Sequence, residues 1–284
     1  MVVVDDLATM AVSELDLGRF VKVAPSESIS ETVEAMRDAG YSCACVVDDG
    51  TLVGVFTQRD VLMRVLGRSQ LCDDPVGDEM TRSPRTMRPD QSVADGLAIM
   101  REWWVRSVPV VDGAGGLVGN FSWYTVMSTM AEILNRPSEA DQTGPRVGDG
   151  LEFVDFTGLN ISTPVTVYEE DTADVAAHHM RARALGSILV VDQRGHLIGI
   201  ISEFDLLVKL ACTGADLEKV TVGEMMAPDV VTLSVRSKIG EAIQKMADKG
   251  FSHAPLLGES SRPVGVASFR DIAAYFETSL ETFV

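Results

Sequence analysis

One seven-residue stretch is written four times along the chain. Gly54-Val55-Phe56-Thr57-Gln58-Arg59-Asp60 returns as Gly199-Ile200-Ile201-Ser202-Glu203-Phe204-Asp205 and as Gly265-Val266-Ala267-Ser268-Phe269-Arg270-Asp271. A worn copy stands at Gly119-Asn120-Phe121-Ser122-Trp123-Tyr124-Thr125. Each has a glycine, two mostly apolar residues, a hydroxyl residue, two variable residues and, in three of the four, an aspartate. The leading glycines stand 65, 80 and 66 residues apart. That spacing describes a pair of repeats that is itself repeated, and a period of this kind constrains the fold before any single element does.

Each repeat reads as strand, helix, strand, strand, helix. In the first, Phe20 to Val23 is a short strand. Ser28 with Glu31 makes a capping box, and Ile29, Val33 and Met36 recur at helical intervals until Gly40 stops the helix. Cys43–Val47 and Leu52–Phe56 are apolar runs joined by Asp48-Asp49-Gly50, a hairpin signal, and a second helix follows from Gln58 to Leu66. The later repeats keep this order. Their first strands are expected at Pro84–Met87, Val165–Val167 and Val230–Leu233, and their first helices at Ser92–Trp104, Ala173–Ala184 and Ile239–Asp248. The expected units are 1–68, 75–134, 147–212 and 220–284. A linker at 135–146 lies in a Pro/Gly-rich, period-free stretch that runs to Gly150. The fold class is mixed α+β, four β-α-β-β-α units in two tandem pairs.

The net charge of −18 disfavours nucleic acid, since phosphate binding needs Lys and Arg. No run of about 20 apolar residues offers a membrane span, and the acidic start Asp5-Asp6 is unlike a secretory signal. Cys43, Cys45, Cys72 and Cys212 show no CxxC spacing, so they read as small packing residues in a reduced, cytoplasmic chain. No P-loop, nucleophile elbow, catalytic triad or zinc spacing occurs, which points away from an enzyme. His178-His179 has no accompanying ligand pattern, so no metal is expected.

These units resemble the cystathionine-β-synthase (CBS) domain. The resemblance rests on the Thr or Ser with an Asp three residues on, the preceding glycine, and strands ending in Val46-Val47-Asp48, Val110-Val111-Asp112 and Val190-Val191-Asp192. The fourth unit departs from it with Leu256-Leu257-Gly258. Two such units pair into a Bateman module. The family implies a non-catalytic sensor that binds adenosine nucleotides in clefts between units and signals to a partner protein.

A hydroxyl at a helix start lies beside free backbone N–H groups and the positive end of the helix dipole, a natural anion site. Thr57, Ser202 and Ser268 occupy that position. One turn on, Asp60, Asp205 and Asp271 can accept both hydroxyl protons of a ribose cis-diol. The competing reading is a capping box with no ligand. In the second unit Ser122 is followed by Thr125, a degenerate site expected to be empty, weak or adapted to another ligand. Arg59, Arg270, Arg106, His253 and Lys22 are the candidate phosphate contacts, as the resemblance implies. Trp103, Trp104 and Trp123 read as packing between units rather than as adenine stacks. No cofactor is required, and the expected ligand is AMP, ADP or ATP, with S-adenosylmethionine and cyclic dinucleotides as alternatives. The expected partners are that nucleotide, a regulated protein and a possible second copy of the chain. The alternative is a structural or interaction scaffold with vestigial sites.

Overall fold

The computed structural model of the chain describes residues 7–135, 154–159 and 161–281. All of the expected 135–146 linker except Asn135 lies outside them. Unit 1 runs β1 (Val21–Val23), α1 (Ile29–Ala39), β2 (Cys43–Asp48), β3 (Thr51–Thr57) and α2 (Gln58–Asp60), which continues as a π turn over Val61–Val65. The short α3 (Val76–Glu79) and β4 (Thr81–Arg82) lead into unit 2, with α4 (Val93–Glu102), β5 (Ser107–Val111), β6 (Leu117–Ser122) and α5 (Trp123–Leu134). Unit 3 has β7 (Thr166–Tyr168), α6 (Ala173–Ala182), β8 (Ser187–Val191), β9 (Leu197–Ser202) and α7 (Glu203–Leu210). Unit 4 follows α8 (Val222–Met225) with β10 (Leu233–Ser234), α9 (Ile239–Lys249), β11 (His253–Leu257), β12 (Pro263–Ser268) and α10 (Phe269–Glu281).

Within a unit the first strand pairs parallel to the second, and the second antiparallel to the third: β1-β2-β3, β7-β8-β9 and β10-β11-β12. Unit 2 departs from the expected strand at 84–87. There only Met87 bridges Val110, and β5-β6 form a two-stranded sheet. The expected strand at 230–233 also shrinks, to Leu233–Ser234, because Val230 N–H turns back to Pro228 O at 3.0 Å.

The segment leading into each unit crosses the third strand of its pair-mate. β4 pairs with β3, Leu17 O accepts from Asn120 N–H, Ala227 bridges Ile200, and Ser162 bridges Val266. This exchange explains the repeated glycine. A Cβ at Gly54 would lie 2.3 Å from Met80 Sδ, at Gly119 2.4 Å from Leu17 Cβ, at Gly199 2.4 Å from Met226 Sδ, and at Gly265 2.5 Å from Ile161 Cγ2. The glycine thus makes room for the crossing segment: at Gly119 and Gly265 a Cβ would strike Leu17 Cβ and the Ile161 branch, and at Gly54 and Gly199 the Met80 and Met226 thioethers would have to move.

The two modules also pack on each other, within one chain. Leu62 and Leu66 of unit 1 join the core of unit 3, while Leu207 and Ala211 of unit 3 join that of unit 1. Arg181 seals this contact, donating to Leu62 O at 2.7 Å and Leu66 O at 2.8 Å where the π turn ends. On the other side α5 lies against α9, and Met127, Met130, Ile243 and Met246 share one core.

Two expectations need correction. Cys72 and Cys212, 140 residues apart, form a disulfide across the unit 1–unit 3 contact, so they are not free packing residues, and the premise for a reduced setting falls with them. Cys43 and Cys45 do remain free and buried. Of the tryptophans, Trp123 packs between units against Phe269, with ring centroids 6.3 Å apart. Trp103, 45 % exposed, lies under Arg85 of its own unit, and Trp104, 74 % exposed, meets unit 4 through the guanidinium of Arg270.

Candidate functional site: four strand–helix junctions around a charged centre

Each junction places a hydroxyl where a strand becomes a helix. At the first, Thr57 N–H and Oγ1 donate to Asp60 Oδ2 at 2.8 and 2.7 Å. The backbone N–H of Asp60 returns to Thr57 Oγ1 at 3.4 Å. Ser202 and Asp205 repeat this at 2.7, 2.5 and 3.2 Å, and Ser268 donates to Asp271 at 2.7 and 2.5 Å. The Thr57–Asp60 and Ser202–Asp205 pairs are thus reciprocal caps, while Ser268 donates to its acid in the same way. Asp60, 7 % exposed, also sits 3.4 Å from Thr81 Oγ1 and 3.5 Å from Arg64 Nη2, so the lead-in of unit 2 already touches the acid of unit 1.

The second junction is built differently. Ser122 Oγ and Thr125 Oγ1 share a hydrogen bond of 3.0 Å, and Thr125 N–H donates to Ser122 Oγ at 3.2 Å. The Thr125 hydroxyl also donates to Asp16 O at 3.0 Å. Asp16 belongs to the lead-in of unit 1.

Where the four junctions converge, charge is concentrated. Glu203 begins α7 and is 1 % exposed. Its carboxylate lies 2.6 Å from Arg59 Nε and 2.7 Å from Arg106 Nη1, and it accepts from Gln58 Nε2 at 3.1 Å. Arg106 Nη2 and His253 Nε2 press on Gly186, where a Cβ would fall 2.0 and 2.7 Å from them. Arg270 donates to Trp104 O at 2.8 Å, and Arg59 to Ala184 O at 3.1 Å. Burial, then the guanidiniums of Arg106, Arg270 and Arg59, holds His253 well below the usual imidazole range. Burial and the neighbouring Arg106 and Arg59 bring Arg270 down to about 10, and burial lowers Arg59. The burial part of these shifts penalises charge of either sign, while the smaller part, repulsion among the cations, is what an anion would relieve.

A cavity of about 410 Å³ runs through this centre, within the roughly 300–1,000 Å³ usual for small-molecule sites. Ser202, Asp205, Ser122, Asn120, Arg106 and His253 are among the residues that line it. Val230 and Val231, expected in a strand, line it instead. Of the residues singled out from the sequence, the structure brings Ser202, Asp205, Ser122, Arg106 and His253 to one cavity. Thr57 with Asp60, and Ser268 with Asp271, hold their own junctions. Lys22 is exposed on β1.

Sequence reasoning missed Glu203, Gln58, Gly186 and Asn120. Glu203 and Gln58 fall on the motif's variable position after the hydroxyl, filled by Trp123 and Phe269 in the other units. An acid there was the available signal. Asn120 replaces Val55, Ile200 and Val266, which was legible as a polar residue in an apolar column.

The model of the CBS domain matches residues 12–67, 76–132, 158–211 and 222–278. Among curated proteins, the chain is similar to meiotically up-regulated gene 70 protein of Schizosaccharomyces pombe, at 23% identity over 89% of this chain and 41% of that one. It also resembles the uncharacterized protein MJ1404 of Methanocaldococcus jannaschii, at 23% identity over 93% and 61%. The chain spans about half the length of the curated relatives it matches. Among solved structures it resembles MJ1225 of M. jannaschii, described as a candidate archaeal homologue of γ-AMPK, with TM-score 0.79, 17% identity, and coverage of 94% of this chain and 100% of that one. At that identity the likeness speaks to fold. The matched residues cover most of the sequence, each falls on one of the four units, and the chain therefore belongs to the CBS domain family, with four CBS domains in two Bateman modules.

Proposed function

We propose that this chain is a non-catalytic regulatory sensor whose clefts hold AMP, ADP or ATP and whose occupancy is read by a partner protein. CBS-pair proteins are commonly nucleotide-sensing regulators, which is the coarser ground for this reading. The observation that carries it is the junction of Ser202 and Asp205. Its hydroxyl–acid pair opens helix α7 and borders a cavity that Arg106 and His253 also line. In this reading the acid accepts the ribose diol, the α7 N-terminus faces a phosphate, and further phosphates extend toward the guanidiniums. The 1–68, 75–134, 147–212 and 220–284 units would be the bodies that move.

Glu203 makes such binding consequential. A phosphate approaching Arg106 and Arg59 competes with a carboxylate that both arginines already hold. Gln58 and Arg59 come from unit 1, Arg106 from unit 2, Glu203 from unit 3, and His253 and Arg270 from unit 4. Displacing Glu203 therefore changes contacts of units 1, 2 and 3, and the ligand's differential affinity for the rearranged state sets the size of the response.

The experiment is calorimetric titration of the full chain with AMP, ADP and ATP, beside the triple variant Asp60→Ala, Asp205→Ala, Asp271→Ala. Binding to the native chain should weaken at least about tenfold in the variant, the loss of buried hydrogen bonds to a ribose. Unchanged affinity sinks the reading. One observation favours the scaffold alternative: the three acids are already used by their own caps, and the central arginines by Glu203. Absence of binding to the native chain at millimolar nucleotide decides for the scaffold.

A further inference from the structure

The Cys72–Cys212 disulfide joins two loops rather than two core elements. Cys72 stands between the short turn Ser69–Leu71 and the lead-in of unit 2, and Cys212 stands two residues past the end of α7. Both line a cavity of about 270 Å³ at the unit 1–unit 3 contact. Exposed residues from both loops line it too: Gly67, Arg68 and Ser69 from one, Gly214, Asp216 and Glu218 from the other. Cys72 is 8 % exposed and Cys212 half-buried, so a group arriving from solvent reaches the bond through this cavity. Disulfides that thiols can reach in this way are the labile class, whereas those sealed in a core resist reduction.

The backbone at Cys212 is in an unfavoured state. Its φ is 54°, in the left-handed region that residues with a Cβ rarely adopt, and opening the bond leaves Cys212 free to abandon it. The polar contacts at this end of α7 are thin. Arg37 Nη2 reaches Ala211 O at 3.3 Å, and Arg37 Nε has no partner among the described residues. The apolar contacts do not depend on the bond: Leu207 and Ala211 sit in the core of unit 1, Leu62 and Leu66 in that of unit 3. Helix α7 is therefore held at its first residue by Glu203 with Arg59 and Arg106, and just past its last by Cys212 with Cys72.

We propose that Cys72–Cys212 is a thiol–disulfide exchange site, and that a dithiol acting there loosens one edge of the unit 1–unit 3 joint without unfolding the chain. A thiolate of the dithiol attacks Sγ of Cys212, the more exposed residue. A sulfur–sulfur bond forms to Cys212 as the bond to Cys72 breaks, and the electron pair leaves with Cys72 as a thiolate, which takes up a proton. The dithiol's second thiolate then attacks its own sulfur in the mixed disulfide and releases Cys212 as a thiolate, which is protonated in turn. The dithiol ends as its disulfide, and the chain has gained two electrons and two protons. No nucleotide enters these steps, so the inference stands apart from the sensor reading.

The test applies dithiothreitol to the folded full chain, with iodoacetamide labelling and hydrogen–deuterium exchange read by mass spectrometry. Under native conditions reduction should expose Cys72 and Cys212 to the label, while the buried Cys43 and Cys45 stay unlabelled until the chain is denatured. Amides of 61–72 and 206–217 should then exchange at least about tenfold faster, and those of the α5–α9 contact should change by less than about twofold, the pattern of a local opening. Oxidised dithiothreitol should restore the protection. The variant Cys72→Ser, Cys212→Ser should match the reduced chain and ignore the reductant. Labels on Cys72 and Cys212 that appear only in denaturant mark a sealed structural bond and overturn the inference. So does equal exchange in the two states. Loss of protection throughout the reduced chain overturns it as well, since the bond would then be a requirement of the whole fold.

Discussion

Units 2 and 3 both line one cavity and present different chemistry at their junctions. Unit 3 offers Ser202 and Asp205 on a helix N-terminus, with Ile200 beside them. Unit 2 offers Ser122 and Thr125, with Asn120 in the place of Ile200. The backbone is the same in both: an antiparallel hairpin, a hydroxyl cap and a lead-in segment from the pair-mate crossing at a glycine. The differences lie in side chains, among them Asn120 for Ile200, Trp123 for Glu203 and Thr125 for Asp205. A repeat fold therefore holds its geometry constant while single positions choose what each junction can bind.

The largest effect should come from the disulfide, which ties unit 1 to unit 3 and has no counterpart between units 2 and 4 among the described residues. Reduction, or the pair Cys72→Ser and Cys212→Ser, should cost roughly 2–5 kcal/mol, since the bond closes a long loop in the unfolded chain. Denaturant midpoints with and without reductant measure this. If the two sides of the molecule are equally self-sufficient, the midpoint will not move.

Next comes Arg106→Ala, at the residue that joins unit 2 to unit 3 through Glu203. It leaves the Glu203 carboxylate buried with only Arg59 and Gln58. Breaking a buried pair costs roughly 3–5 kcal/mol, and the remaining arginine should hold the loss to the lower end. Equilibrium unfolding checks it. Arg106→Ala with Glu203→Gln should recover part of the loss, which a purely steric role of Arg106 does not allow.

Comparison of the clefts themselves should give a smaller but sharper contrast. Asp205→Ala is expected to weaken adenosine nucleotide binding by about 1–3 kcal/mol and 2′-deoxy analogues by less. Thr125→Ala should change neither by more than about 0.5 kcal/mol, the ordinary scale of a substitution away from such contacts. Calorimetry on both variants decides, and equal losses would erase the distinction drawn between the units.

The smallest effect is pH-dependent. His253 is held neutral, its folded value depressed by burial and by three guanidiniums. The unfolded chain then binds more protons, so the stability from neutral His253 is complete above about pH 6.5 and falls as pH drops below it. From pH 7.5 to 6 the loss should be a little under about 1 kcal/mol. Thermal melts across that range, with His253→Gln as the reference that lacks the slope, measure it.

Much of this arrangement is legible from residue order. The four glycines, hydroxyls and aspartates recur in register because each unit needs the same cap and the same close crossing. Hairpin signals such as Asp48-Asp49-Gly50 are local, so they survive without tertiary information. The first strands at 84–87 and 230–233 were overread, since short apolar runs do not reveal whether an edge partner is present. Glu203 escaped because its meaning comes from Arg59 and Arg106, which lie 144 and 97 residues away. Cys72 and Cys212 escaped for the same reason: no spacing rule joins cysteines that different units bring to one interface.

The sequence alone determined the repeat, the β-α-β-β-α order, the caps and the exceptional status of the second junction, because these depend on contacts within a few residues or on comparison between copies. Only the tertiary structure decided that the modules close on each other within one chain and that a buried carboxylate sits among guanidiniums from different units. It also decided that the Asn120 amide is buried without a hydrogen-bond partner among the described residues. Those facts arise from long-range packing, where a residue's electrostatic and solvation energy is set by neighbours that its own stretch of chain does not name.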